Sequence, residues 1–184
     1  MSIRVEGKQK RAVLTRQKIL DAYEELSRAR LFEDISVAEI ARAAGVGKGT
    51  VLAHFSEKLA LPAALFARAL DSISDEILVA SSDQLDLEEV LIKLLNFTFT
   101  DDVYARILLW EGHDVCEAII GPSEERLFAV LSEKLPQSEK MSVEMQFDII
   151  RALLVNAVVM NRACKSEEDT RAQFRDLLYV TLEI

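Results

Sequence analysis

The chain has 184 residues, half of them hydrophobic, which excludes an intrinsically disordered protein because one or two apolar cores can be buried. Six glycines and three prolines among many Ala, Leu, Glu, Lys and Arg residues favour helices over many short strands. The net charge of −9, taken alone, argues against a nucleic-acid partner, because binding to phosphate needs a basic surface.

The charge is unevenly distributed along the chain. Residues 1–60 hold eleven basic and eight acidic side chains, a net of +3, whereas the rest of the chain has a net charge of −12. In the first twenty residues six cations, including Lys10 and Arg11, are opposed only by Glu6. We expect this basic arm either to reach along a DNA backbone or into a minor groove, or to be a solvated tail.

Several features limit where the protein works. The N-terminus has charges but no apolar run behind them, so we expect no secretory signal and a cytoplasmic protein. The most apolar stretch, residues 152–160, is too short for a membrane span of about 20 residues. Cys116 and Cys164 form no disulfide framework or metal motif, and we expect small buried thiols.

Hydrophobic periodicity predicts three helices in the first 55 residues. The first runs from about Thr15 to Arg30. Ser36 with Glu39 forms a capping box for the second, and Gly45 supplies its C-terminal stop. The third follows the glycine-containing turn, from about residue 48 to residue 55. Two short helices joined in this way are the helix-turn-helix pattern.

Six more helices are predicted after residue 55. They are expected at about 56–82, 86–98, 100–110, 124–135, 142–164 and from Ser166 onward. Pro62 falls in the second turn of the fourth helix and should bend it or delay its regular part. Gly121–Pro122 and Pro136 are expected to isolate the seventh. The eighth is apolar around most of its circumference and must be covered on more than one side.

The glycine-rich segment 45–50 does not fit a nucleotide-binding loop. Gly49 stands after Lys48, where a phosphate-binding loop needs Ser or Thr, and a helix rather than a strand precedes the segment. Glycines at the start of a helix instead permit close approach to a major groove.

This segment resembles the TetR family of transcriptional regulators. The resemblance covers about residues 15–65 and rests on Thr15-Arg16, Ile19-Leu20, the run 36–41, the turn Ala44-Gly45-Val46, Gly49-Thr50, His54-Phe55 and Lys58. It implies an all-α fold: an N-terminal three-helix DNA-binding domain over residues 1–58, followed by a C-terminal helical bundle over residues 59–184. It further implies no cofactor.

The resemblance assigns DNA contacts residue by residue. Each expected contact residue offers either a polar side chain, which is an ammonium, a hydroxyl or an imidazole, or a glycine backbone that can come close to DNA. These residues are Ser36, Gly47, Lys48, Gly49, Thr50, His54 and Lys58. Lys48 can donate to guanine O6 and N7, and Thr50 can reach a base or a phosphate. The chain departs from the family at Leu52, where an aromatic residue is expected, and at Ala53. A divergent module with weakened DNA binding is therefore the alternative to an operator-binding repressor.

The C-terminal half carries no comparable motif. By resemblance it should hold a pocket for an unknown small molecule, and its last two helices should pair with a second subunit into a homodimer. Candidate pocket residues are the aromatic and polar-tipped side chains of the middle helices: Phe97, Phe99, Tyr104, Trp110, His113 and Phe128. An enzyme centred on His113 and Cys116 is a weaker alternative. His113 and Glu117 share a helix face, but two ligands are too few for a metal site.

Overall fold

All regular secondary structure in the described residues is helical. The computed structural model describes residues 3–79, 86–109, 114–135, 139–163 and 166–182. The all-α fold class predicted from the sequence is therefore confirmed for these residues. None of the described helices is long and apolar enough to cross a membrane.

The chain divides into two compact units, one ending at Leu65 and the other beginning at Phe66. The division falls within one helix. The domain boundary predicted after residue 58 stays a prediction.

The first unit is built from three helices and the start of a fourth. These are α1 (Ile3–Ser27), α2 (Val37–Ala43), α3 (Lys48–His54) and the first residues of α4 (Ala60–Val79), with a 3-10 turn at Phe32–Asp34 before α2. Its largest fully buried side chains come from α1, α2, the start of α4 and the two segments that follow the 3-10 turn and α3: Ile19, Tyr23, Ile35, Ile40, Phe55 and Leu61. Burying several large side chains from neighbouring helices fixes α3 against α1 and α2.

The helix α1 is longer than the sequence predicted. It begins at Ile3 instead of about Thr15, so the basic arm is helical in the structure. Its described side chains between Gln9 and Leu14 are exposed, and they include Val13, which is 67% exposed. The apolar spacing that marked a buried face begins only at Ile19, and this is why periodicity placed the start too late.

The second unit contains the rest of α4 together with five helices. These are α5 (Leu87–Phe99), α6 (Asp102–Leu109), α7 (Asp114–Ser132), α8 (Val143–Arg162) and α9 (Glu167–Leu182). As expected from its apolar circumference, α8 packs against several neighbours, namely α5, α6, α7 and α9. Asp86, Ser142 and Ser166 accept the cap hydrogen bonds at the starts of α5, α8 and α9.

The prediction for α7 was wrong. Gly121 and Pro122 do not end a loop before the helix but lie inside it, and α7 begins at Asp114. Gly121 lacks the Cβ that normally clashes with a following proline ring and disfavours helical backbone. Pro122 removes the backbone donor to the carbonyl of Ala118, yet both residues are exposed, so water can satisfy that carbonyl.

Pro62 lies in the first turn of α4, not in the second. The helix begins at Ala60. The Leu61 N–H, in its first turn, donates to the carbonyl of Lys58 at 3.1 Å. A proline costs no intrahelical bond in a first turn because the donors there have no helical partner. The regular helix is delayed relative to the predicted start at Ser56.

Candidate functional site

The turn between α2 and α3 is fixed by backbone hydrogen bonds. Gly45 adopts a φ of +66°, a left-handed conformation that favours glycine. The Val46 N–H then reaches back to the carbonyl of Ala41 at 2.9 Å, which closes the end of α2. Gly47 follows in an extended conformation as the N-cap of α3. Local sequence therefore sets the angle at which α3 leaves the turn.

The start of α2 carries the predicted capping box and one further ion pair. The Ser36 hydroxyl accepts from the Glu39 N–H at 3.2 Å, and a Glu39 carboxylate oxygen accepts from the Ser36 N–H at 2.9 Å. Arg30 donates to the other carboxylate oxygen at 2.7 Å. The hydrogen bond from Arg30, followed by those from Ser36, lowers the pKa of Glu39 to about 2. The Ser36 hydroxyl is thus engaged in the cap and also exposed.

The outward face of α3 is formed by four residues that share high exposure: Lys48, Gly49, Leu52 and Ala53. Thr50 and His54 are half-buried at the edges of this face, and Val51 is fully buried behind it. At Gly49 an added Cβ would meet no atom within 4 Å. The face therefore presents one cation at its N-terminal end and apolar side chains beyond it.

Arg16 ties the first helix to the end of α3. Its guanidinium donates to the His54 carbonyl at 2.6 Å and lies over the Phe55 ring, 4.1 Å from the ring centroid. Burial lowers the pKa of Arg16, which stays cationic at neutral pH. Sequence reasoning placed Arg16 in the basic arm and among the residues of the family resemblance, and it assigned Arg16 no partner. No local pattern shows the contact, because its partners lie 38 residues away.

Lys58 makes a second cation contact inside the same unit. Its ammonium donates to the Phe32 carbonyl and lies 4.0 Å from the centroid of the Phe32 ring. Lys58 is half-buried, and it therefore fixes the segment after α3 to the 3-10 turn before α2. The resemblance implies a DNA contact for this residue, which stays a prediction.

The other predicted DNA-contact residues of the arm lie on α1. Lys10 and Arg11 are consecutive and exposed, and the carbonyl of Arg11 accepts a hydrogen bond from the Thr15 hydroxyl at 2.9 Å. Lys10 and Arg11 lie in the N-terminal part of the continuous helix α1, and not in an extended segment.

The second unit contains a cavity of about 490 Å³. Its walls come from α4, α6, α7 and α8, and its lining residues are Phe66, Ile107, Leu108, Cys116, Glu117, Ile120, Gly121, Glu124, Glu125, Phe128, Phe147 and Arg151. The rings of Phe128 and Phe147 meet edge to face with centroids 5.1 Å apart. Volumes of 300–1,000 Å³, roughly, are usual for small-molecule sites.

The six predicted pocket residues are distributed over different environments. Phe128 lines the cavity, whereas Phe97 and Tyr104 pair with each other at 4.6 Å and do not line it. The guanidinium carbon of Arg171 lies over the Phe99 ring, 5.7 Å from the ring centroid. Trp110 and His113 lie outside the described residues.

Phe66 and Phe147 line the cavity but were not among the candidates from the sequence. Phe66 connects the two aromatic groups, since its ring is 5.9 Å from that of Phe97. The sequence signal that could have identified Phe66 as a pocket residue is that it is aromatic and lies among the buried positions of α4.

The cavity walls include one thiol. Cys116 is buried there as a thiol, and Cys164 lies outside the described residues, as does His113. Among the residues that the structure describes, no group of His, Cys, Asp and Glu could hold a metal ion.

Residues 19–65 match the family model of bacterial regulatory proteins, tetR family. This is a TetR-family N-terminal domain. The match covers the second half of α1, α2, the turn, α3 and the start of α4, so it includes the outward face of α3 and the Lys58 contact, whereas Arg16 lies just before it. The resemblance stated from the sequence is confirmed.

Solved structures share the fold along most of the chain. FadR from Bacillus subtilis, in complex with stearoyl-CoA, is 19% identical with a TM-score of 0.61, covering 90% of this chain and 97% of FadR. RolR in complex with resorcinol is 18% identical with a TM-score of 0.58 and coverages of 94% and 97%. A tetR-family transcriptional regulator from Streptomyces coelicolor is 21% identical with a TM-score of 0.53 and coverages of 90% and 83%. Among curated proteins, none shows significant sequence similarity to the chain.

Proposed function

We propose that this TetR-family chain is a ligand-responsive transcriptional regulator, most simply a repressor, that binds a pseudo-palindromic operator as a homodimer. The observation that carries the proposal is the exposed face of α3, held by the fixed turn at Gly45 and by the Arg16 contact to its last residue. A short helix held rigidly at both ends and exposed along one side is what major-groove binding requires.

The proposed DNA contacts divide by chemistry. Lys48 is an exposed cation at the N-terminal end of α3 and can donate to guanine or to phosphate. Ser36, Thr50 and His54 supply polar groups for the backbone, and Gly47 and Gly49 allow close approach. Lys10 and Arg11 on α1 and Lys58 after α3 are the other cations proposed to contact phosphate groups.

The proposed homodimer pairs the last two helices of each subunit. Both helices expose apolar side chains: Met145 and Val159 on α8 are 51% and 43% exposed, and Val180 on α9 is 78% exposed. Large apolar side chains exposed on these two helices are available for association, and a two-fold dimer matches two operator half-sites one DNA turn apart. Replacing Val159 and Val180 by Glu should convert the dimer to a monomer in sedimentation; an unchanged dimer would place the interface elsewhere.

The proposed effector site is the 490 Å³ cavity of the second unit. Its walls combine three phenylalanine rings with charged side chains, which suits an amphipathic molecule: Phe66, Phe128 and Phe147 with Glu117, Glu124, Glu125 and Arg151. FadR and RolR have the same fold and bind stearoyl-CoA and resorcinol.

The helix α4 offers the route from ligand to DNA. Leu61 and Leu65 are buried in the first unit, and Phe66, next along the helix, lines the cavity. A ligand that displaces Phe66 would move α4 and change the spacing of the two α3 helices. It acts only if it binds the DNA-incompetent state more tightly than the competent one.

Selection of bound sequences from random duplex DNA tests the proposal. The wild-type protein should enrich an inverted repeat, and its affinity for the winner should fall steeply as salt rises. Lys48→Ala should bind the same duplex more weakly. Absence of enrichment at low salt would contradict operator binding.

That outcome would support the second candidate function, a dimerisation module that has lost DNA binding. The exposed Leu52 and Ala53 favour it, because neither side chain can hydrogen-bond a phosphate. An enzyme is the weakest candidate, since Cys116 is buried at 5% exposure and the family domain belongs to regulators.

A further inference from the structure

Leu52 and Ala53 form the apolar part of the outward face of α3. Leu52 is 43% exposed, and Ala53 beside it is exposed as well. They lie one turn beyond Lys48 and Gly49, so all four residues share one side of the helix. Val51, on the opposite side, is fully buried and fixes this orientation.

An exposed leucine on a recognition helix has a specific complement in the major groove. Of the four bases, only thymine presents an apolar group there, its C5-methyl, whereas the other bases present hydrogen-bond donors and acceptors. Leu52 and Ala53 have no polar side-chain atoms, so opposite any of those groups they would leave a donor or acceptor without a partner.

We infer that Leu52, assisted by Ala53, makes the chain specific for operators with thymine methyl groups opposite the centre of α3. This inference rests on the proposed function, because it needs α3 in the major groove. Lys48 then donates to a guanine or a phosphate at the neighbouring position. Together, Lys48 and Leu52 select a half-site that contains both guanine and thymine.

Replacement of thymine by deoxyuridine in the selected operator tests the inference. Uracil keeps the O4 acceptor and the pairing of thymine and lacks only the methyl group. Each lost contact should reduce the affinity of the wild-type protein about fourfold, the effect of about one buried methylene. The readout is the Kd from fluorescence anisotropy at one salt concentration.

Variants identify the residue that reads the methyl group. Leu52→Ala should bind the thymine duplex more weakly than wild type and should lose most of its response to deoxyuridine. Lys48→Ala should keep the full fourfold response. Leu31→Ala is the matched control, because Leu31 is 57% exposed and lies outside α3; it should behave as wild type.

The outcomes separate the inference from the proposed function. Enrichment of an operator together with equal affinity for its thymine and deoxyuridine forms would overturn the inference and leave the proposed function intact. An equal deoxyuridine response in wild type and Leu52→Ala would also overturn it, because the methyl group would then act through DNA shape. Absence of any enriched duplex would overturn both.

Discussion

The two units of the chain are held by different kinds of interaction. The first is fixed by a capping box and a left-handed glycine, which are local, and by two cations that each bind a carbonyl and a ring of a distant segment. The second is held by helices joined by ion pairs between distant segments, such as Arg175 to Glu88 and Arg126 to Asp75, and it contains a cavity that is open to the surface. A short exposed helix on a fixed turn suits the recognition of DNA, whereas a cavity among helices suits the binding of a small molecule.

The largest effect is expected from truncation of the first core. Phe55→Ala should cost about 3–5 kcal/mol, because Phe55 is 1% exposed and its ring also receives Arg16. Hydrogen exchange of peptides from α2 and α3 measures the loss. Leu52→Ala, on the exposed side of the same helix, should change protection by less than about 0.5 kcal/mol. Equal effects of the two variants would show that α3 is not fixed by its core.

The two helical prolines provide a comparison between the units. Pro122→Ala should stabilise the second unit by about 1–3 kcal/mol, because it restores a backbone donor inside α7. Pro62→Ala should instead destabilise the chain by about 1–2 kcal/mol, because a first-turn donor gains no helical partner and the buried ring is replaced by a smaller side chain. Urea unfolding measures both.

Pro62→Ala also tests the route from ligand to DNA. If α4 transmits the signal, this variant should alter the ligand concentration needed to release the operator. An unchanged ligand response would contradict a role for the start of α4.

A smaller effect should distinguish the two lysines around α3. Lys58→Met should destabilise the first unit by about 1 kcal/mol, because its ammonium binds the Phe32 carbonyl and ring. Lys48→Met should leave stability unchanged, because Lys48 is exposed. Thermal unfolding of both variants provides the comparison, and equal Tm values would contradict a structural role for Lys58.

The smallest effect is a difference in pH dependence. The folded-state pKa of Glu39 is lowered to about 2, so its stabilising contribution is complete above the ordinary value of 4.5 and is lost as the pH falls toward 2. Glu39→Gln should therefore show a shallower decline in Tm between pH 4.5 and pH 2. Parallel declines in the variant and the wild type would show that the Arg30 and Ser36 contacts do not operate in solution.

The sequence predicted the first unit more completely than the second. The capping box at Ser36, the stop at Gly45 and the start of α3 depend on neighbouring residues, so local patterns reveal them. The cavity depends on residues far apart in the chain, such as Phe66 and Phe147, and of the predicted aromatic residues Phe128 alone is described as lining it. The seventh helix was misjudged because Gly121 relieves the steric effect of Pro122, which a rule for prolines alone does not include.

The most direct test of the account is the salt dependence of operator binding by the wild type and by Lys48→Ala. Plots of log affinity against log salt concentration should be linear for both proteins. The slope for Lys48→Ala should be smaller by about 1 for each bound protomer, because one phosphate-region cation is removed. Equal slopes and affinities for the two proteins would contradict the claim that the exposed face of α3 binds DNA.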